Sequence, residues 1–130
     1  MTQLIGVDLG GTAIKLGRFS LDGALLAELE VPTPQPPMPG AVVITIVEAV
    51  QQLDPEGQAS CVGVGLPGPM DASARVARVC INLPGWEQIP LADWLEPQLN
   101  RRVTLANDGN CAVVGEAWHG AARGFSDVLL

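Results

Sequence analysis

Positive charge is scarce in this chain. Seven Lys and Arg stand against 14 Asp and Glu in 130 residues, giving a formal net charge of -7 and a pI near 4.4. Such an acidic chain has no long-range attraction for nucleic acid or for an anionic membrane, so any phosphate group it binds must be gripped locally. Cysteine is also rare: Cys61, Cys80 and Cys111 lie far apart, form no CxxC pair and are accompanied by one histidine, His119. This pattern argues against a zinc site or a disulfide framework within the chain and suits a reducing cytoplasm. The start, MTQLIGVDLGG, lacks the basic segment and apolar core of a secretion signal, and no apolar run reaches the roughly 18 residues of a membrane helix. A soluble, cytoplasmic protein is the expectation. Also absent are internal repeats at solenoid periods.

The length suits one domain with a real core. Three strand-like runs come first, Leu4 to Leu9, Ala13 to Phe19 and Leu25 to Val31, separated by Gly10-Gly11 and by Asp22-Gly23. Asp-Gly between apolar runs signals a hairpin, so the opening reads as an antiparallel meander. A proline-rich stretch, VPTPQPPMPG, marks a loop. Val42, Val43, Ile46, Val47, Val50 and Leu53 then fall at helical spacing, with Glu48, Gln51 and Gln52 on the other side. A strand follows from Cys61 to Leu66 and breaks at Pro67-Gly68-Pro69. ARVARV, residues 74 to 79, alternates like a short strand before the break at NLPGW. Pro90 opens a short helix through Asp93, Trp94 and Leu95; RRVTLAND gives a strand ending near Ala106; and Asn110 to Trp118 reads as a helix. An antiparallel start followed by alternating units implies an α/β fold, a mixed sheet with helices on its faces.

Two stretches carry chemistry. In the first hairpin, adjacent Gly10 and Gly11 let a turn expose successive N–H groups to phosphate oxygens; Thr12 adds a hydroxyl and Lys15 a charge. Asp8, at the end of its strand, suits a magnesium ion held through water. No helix follows the glycines, so this is neither a P-loop nor a dinucleotide fingerprint, and Gly-Gly-Thr alone equally suits a hairpin that needs glycine only for its geometry. In the second stretch, LANDGNCAVVGEAW, Asn107 and Asp108 sit between a strand's carboxyl end and a helix, where open α/β sheets place ligand-binding groups. Asp108 or Asn110 also suits a helix cap. One cap suffices, however, and NDGN supplies three candidates. A carboxylate here can accept the proton of an attacking hydroxyl while Asn107 orients the alcohol.

Taken in order, GVDLGGTAIKLG, GVGLPGPMD, NLPGW and ANDGNCAVVGEAWHGAA resemble the N-terminal half of a ROK-family sugar kinase of the bacterial glucokinase type. The resemblance implies a ribonuclease-H-like fold of the actin-like ATPase and hexokinase superfamily, with a mixed five-stranded sheet flanked by helices. It further implies a single lobe over residues 1–130, with the second lobe absent from the sequence. By the same resemblance, Asp8, Gly10, Gly11, Thr12 and Lys15 handle ATP phosphates and Mg2+, with Asp8 toward the metal. Gly68, Asn82, Asn107 and Asp108 form the hexose pocket, and Asp108 is the catalytic base. The implied reaction moves the ATP γ-phosphoryl group to a hexose, glucose at its 6-hydroxyl, although the isolated lobe is expected to be inactive. The implied partners are a hexose and a nucleotide, with no nucleic-acid polymer and no membrane, and self-association is left open. Two positions depart from the family pattern: Ala13 follows GGT where many relatives carry a polar residue, and Gly109 stands where alanine is common. The competing reading is a non-catalytic module that binds sugar or a protein partner; it shares the fold and differs in turnover. Trp86, Trp94 and Trp118 read as core or interface anchors, Cys111 as a small buried hydrophobe, and Glu116 and His119 as surface groups.

Overall fold

The computed structural model describes residues 3–80 and 83–107. Strands β1 (Gln3–Leu9), β2 (Ala13–Ser20) and β3 (Leu25–Pro32) form the meander, followed by helix α1 (Pro39–Leu53) and strand β4 (Ala59–Leu66). Two short strands, β5 (Ala77–Val79) and β6 (Glu87–Ile89), precede helix α2 (Leu91–Leu99) and strand β7 (Arg102–Asn107). The main sheet is five-stranded in the order β3-β2-β1-β4-β7. Strands β1, β2 and β3 pair antiparallel, whereas β1, β4 and β7 run parallel. The expected α/β architecture with a mixed five-stranded sheet is therefore what the chain adopts.

Period-two alternation decides which sheet face is covered. Ile5, Val7 and Leu9 of β1, Ile14 and Leu16 of β2, Val62, Val64 and Leu66 of β4, and Val103 and Leu105 of β7 all bury on one side. Against them pack Val42, Val43, Ile46 and Val50 of α1 and Leu91, Leu95 and Leu99 of α2, in a single core. The opposite face carries mainly small and charged residues, with the Phe19 ring and Leu25 packed beside Gly17. Gly17, Gly6 and Gly63 lie in register across β2, β1 and β4, and Lys15, Asp8 and Gly65 form the next row. Asp8, Lys15, Gly63 and Thr104 are exposed there.

Three local readings need correction. The strand expected over residues 74–79 is confined to Ala77–Val79, because the Asp71 carboxylate accepts the N–H groups of Arg75 and Val76 and so folds the preceding residues into a loop. Ala74 takes a positive φ of 59° in that loop, and its carbonyl accepts the N–H of Leu105 from β7. Strand β6 was not foreseen; it pairs antiparallel with β5. The helix opened by Pro90 runs past Pro97 to Leu99. Proline there forfeits one intrahelical bond, but burial of Leu95 and Leu99 keeps the last turn on the core, and Asn100 in the left-handed region closes the helix. Trp86 is a core anchor, 1% exposed, whereas Trp94 lies largely in solvent.

Candidate active site at the carboxyl ends of the parallel strands

The turn between β1 and β2 is tight. Gly10 N–H donates to the Ala13 carbonyl at 3.1 Å, and a β-carbon on Gly10 would lie 2.8 Å from that same oxygen. Any side chain here would force the turn open. The turn's own carbonyls are held by the proline-rich loop after β3. Thr33 Oγ1 donates to the Gly10 carbonyl at 2.7 Å, Gln35 Nε2 to the Gly11 carbonyl at 2.8 Å, and Thr33 N–H to the Thr12 carbonyl at 2.9 Å. Thr12 itself is exposed at the tip.

Asp8 and Lys15 stand directly opposite each other on β1 and β2, so their side chains share the open face. Lys15 Nζ also lies 4.0 Å from a Glu30 carboxylate oxygen, a contact between two exposed groups that adds little stability. Asp8, Lys15, Gly6, Gly17, Gly63 and Gly65 line an open depression of about 890 Å3 on this face. Among the described residues, no three His, Cys, Asp or Glu side chains gather closely enough to hold a metal ion by themselves.

The second part of the site lies two strands away. Leu66, the last residue of β4, pairs with Asn107, the last residue of β7. Beyond Leu66 the chain turns at Pro67-Gly68-Pro69, and Asn107 Nδ2 donates to the Gly68 carbonyl at 3.1 Å. Gly68 has no room for a side chain: a β-carbon would sit 1.9 Å from the Val79 carbonyl oxygen. The turn is closed against β5 by Arg78 N–H donating to the Pro69 carbonyl at 3.0 Å and by a bridge between Met70 and Ala77. Asp8 pairs with Gly65 on β4, and Gly65 with Ala106 on β7. Asp8, the penultimate residue of β1, and Asn107, the last of β7, therefore lie on strands two apart in one sheet, about 10 Å at the usual strand spacing.

The structure thus brings the five residues of the first hairpin together, joins Gly68 to Asn107, and aligns both groups at the same carboxyl end. Asn82 and Asp108 lie outside the described residues, as do Cys111, Glu116, Trp118 and His119. Sequence reasoning missed Thr33 and Gln35. Their signal was present, two hydrogen-bonding side chains spaced between prolines in an otherwise featureless loop.

A mixed sheet whose parallel strands present a glycine turn and an Asn-ended strand at their carboxyl end defines the fold class, and solved structures share it. A ROK family glucokinase from Streptomyces griseus, crystallised in complex with glucose and AMPPNP, superposes with a TM-score of 0.87 at 33% identity, over 94% of this chain and 38% of that one. The inorganic polyphosphate/ATP-glucomannokinase of an Arthrobacter strain gives a TM-score of 0.85 at 35% identity, over 96% and 51%. The ROK family model matches residues 4–130, and the chain belongs to the ROK family. Among curated relatives, the glucokinase of Thermotoga maritima is 36% identical over 98% of this chain and 40% of its own length. An N-acetyl-D-glucosamine kinase of Vibrio parahaemolyticus is 38% identical over 87% of this chain and 37% of its own length. The chain therefore spans about 40% of the length of these relatives.

Proposed function

We propose that the chain is the N-terminal, actin-like lobe of an ATP-dependent hexose kinase, and that it carries the first phosphate motif and the catalytic base. One observation supports this most: the Gly10–Thr12 turn with Asp8 after β1, and Gly68 with Asn107 after β4 and β7, lie at the same carboxyl end of the three parallel strands. A donor phosphate on the first group and a sugar hydroxyl on the second would face each other across that end.

In this reading, N–H groups of the glycine turn and the Thr12 hydroxyl receive phosphate oxygens, while Lys15 adds positive charge. Magnesium would be held by Asp8 through water and would neutralise charge on the transferring phosphoryl group. Asn107, Gly68 and Asn82 position the hexose. Asp108, the next residue after Asn107, accepts the proton as the hydroxyl oxygen bonds to the γ-phosphorus and the bond to the ADP oxygen breaks. The substrate we infer is glucose, phosphorylated at its 6-hydroxyl, in keeping with the glucokinases among the relatives. The chain spans about 40% of its relatives' length; in this reading the second wall of the nucleotide cleft would lie in the remainder, so the lobe alone is expected to be inactive. A cytoplasmic location suits the substrates, and no helix among the described residues is long and apolar enough to cross a membrane.

The test compares glucose and N-acetylglucosamine as acceptors in a coupled assay of ADP formation, using the polypeptide at the relatives' full length. Glucose is expected to give the higher kcat/KM, and glucose 6-phosphate the product. Turnover with N-acetylglucosamine alone would overturn the substrate assignment and leave the reaction class standing.

A further inference from the structure

We propose that Thr33 and Gln35 are positioning residues for the donor phosphates: they hold the carbonyls of the Gly10–Thr12 turn to the rear and thereby aim its amides at the anion. The proposal rests on reading that turn as the phosphate cradle.

A trans peptide is planar, with the carbonyl of one residue and the N–H of the next on opposite sides of the chain. Fixing the Gly10 carbonyl on Thr33 Oγ1 therefore points the Gly11 N–H the other way, and fixing the Gly11 carbonyl on Gln35 Nε2 does the same for Thr12 N–H. Thr33 N–H holds the third carbonyl, that of Thr12. Among the described residues, no acceptor meets the N–H of Gly11 or Thr12. A turn with three occupied carbonyls and two unoccupied amides presents net positive potential on one side, which is what a phosphate requires.

The strap that does this is stiff. In the run from Pro32 to Pro37, Thr33 and Gln35 are the two residues that are not proline, so each hydrogen-bonding side chain sits on a backbone whose neighbours have φ already fixed. Its far end is pinned by the indole of buried Trp86, whose Nε1 donates to the Pro37 carbonyl at 2.8 Å. Thr33 is itself buried, 3% exposed, beneath the turn. Little entropy is left for the strap to lose when nucleotide binds, so the turn is set before the ligand arrives.

The test measures steady-state kinetics and thermal midpoints of single variants in the polypeptide at the relatives' full length. Thr33→Val keeps shape and the backbone N–H but removes the hydroxyl; KM for ATP is expected to rise about tenfold, with the hexose KM unchanged, and Thr33→Ser should restore it. Gln35→Leu, at an exposed position, should raise the ATP KM about threefold and carries the test should Thr33→Val not fold. A merely structural strap would lower the thermal midpoint in these variants and leave the ATP KM in place, which would overturn the proposal. Gly10→Ala, whose β-carbon would meet the Ala13 carbonyl oxygen and force the turn open, separates the two ways of failing. If it raises the ATP KM while the strap variants do not, the strap is wrong and the cradle stands. If it too leaves the ATP KM unchanged, the cradle reading falls and the strap with it.

Discussion

Gly68 shows how a single position is forced by its surroundings. A β-carbon there would overlap a backbone oxygen, which has no flexible side chain to yield, so the loop or β5 must shift. Gly68→Ala is expected to cost about 1–3 kcal/mol in urea unfolding, and to raise the hexose KM because the carbonyl that Asn107 holds moves with the loop. Gly40, in the first turn of α1 with open space around it, is the contrast: Gly40→Ala should raise stability by about 0.5 kcal/mol. At this scale the sequence disclosed part of the site. The tight turn at Gly10 was legible because adjacent glycines between apolar runs mark a hairpin. The reason for Gly68 was hidden, since Val79 reaches it through a turn that local pattern does not describe. Thr33 was harder to read: the Gly10 and Thr12 carbonyls it holds lie more than 20 residues earlier, and only its place between prolines marked it.

Between elements, Asp54 is the clearest joint. It caps the C-terminus of α1, with its side chain 1% exposed, and its carboxylate accepts the N–H groups of Gln58 and Ala59 and a guanidinium N–H of Arg101 at 2.8 Å. Burial alone would push this carboxyl up, but the Ala59 and Gln58 N–H groups, then the charges of Arg101 and Arg18, outweigh it and hold it below the usual 3.8. A carboxyl held low in the fold contributes stability above its unfolded value and loses it as pH falls through the folded one. Denaturant titrations should therefore show this contribution intact above about pH 4 and lost below. Arg101→Leu should destabilise the protein by about 1–3 kcal/mol at pH 7 and move the acid limb upward. The long elements were legible because burial on one face stamps alternation on strands and a 3.6 period on helices. Strand β6, Glu87–Ile89, was not, because three mostly exposed residues carry no such stamp and pairing with β5 alone makes them a strand. ARVARV misled in the opposite sense: its alternation continues through Ala74–Val76, but Asp71, whose carboxyl is held at about 2 first by the Ser73 hydroxyl and then by the Val76 and Arg75 N–H groups, bends that part into a loop.

At the scale of the whole molecule, among the described residues α1 and α2 cover one face of the sheet, and the glycine turn, Gly68 and Asn107 all lie at the carboxyl end of its parallel strands. Asp8→Asn, on an exposed side chain, should leave the thermal midpoint within about 1 °C and raise the magnesium concentration needed for half-maximal activity at least tenfold. Sequence order gave this convergence its meaning, since four motifs in family sequence are far more specific than a glycine pair. On the proposed function, the 130-residue chain, which spans about 40% of its relatives' length, is expected by itself to show no glucose-dependent ADP formation above background. The central claim is that the residue following Asn107 is the base for phosphoryl transfer, and its most direct test is the kcat of Asp108→Ala in the polypeptide at the relatives' full length. The account predicts a fall of at least about 10²-fold with the thermal midpoint and the KM for ATP essentially unchanged; retained turnover in a folded variant would contradict it.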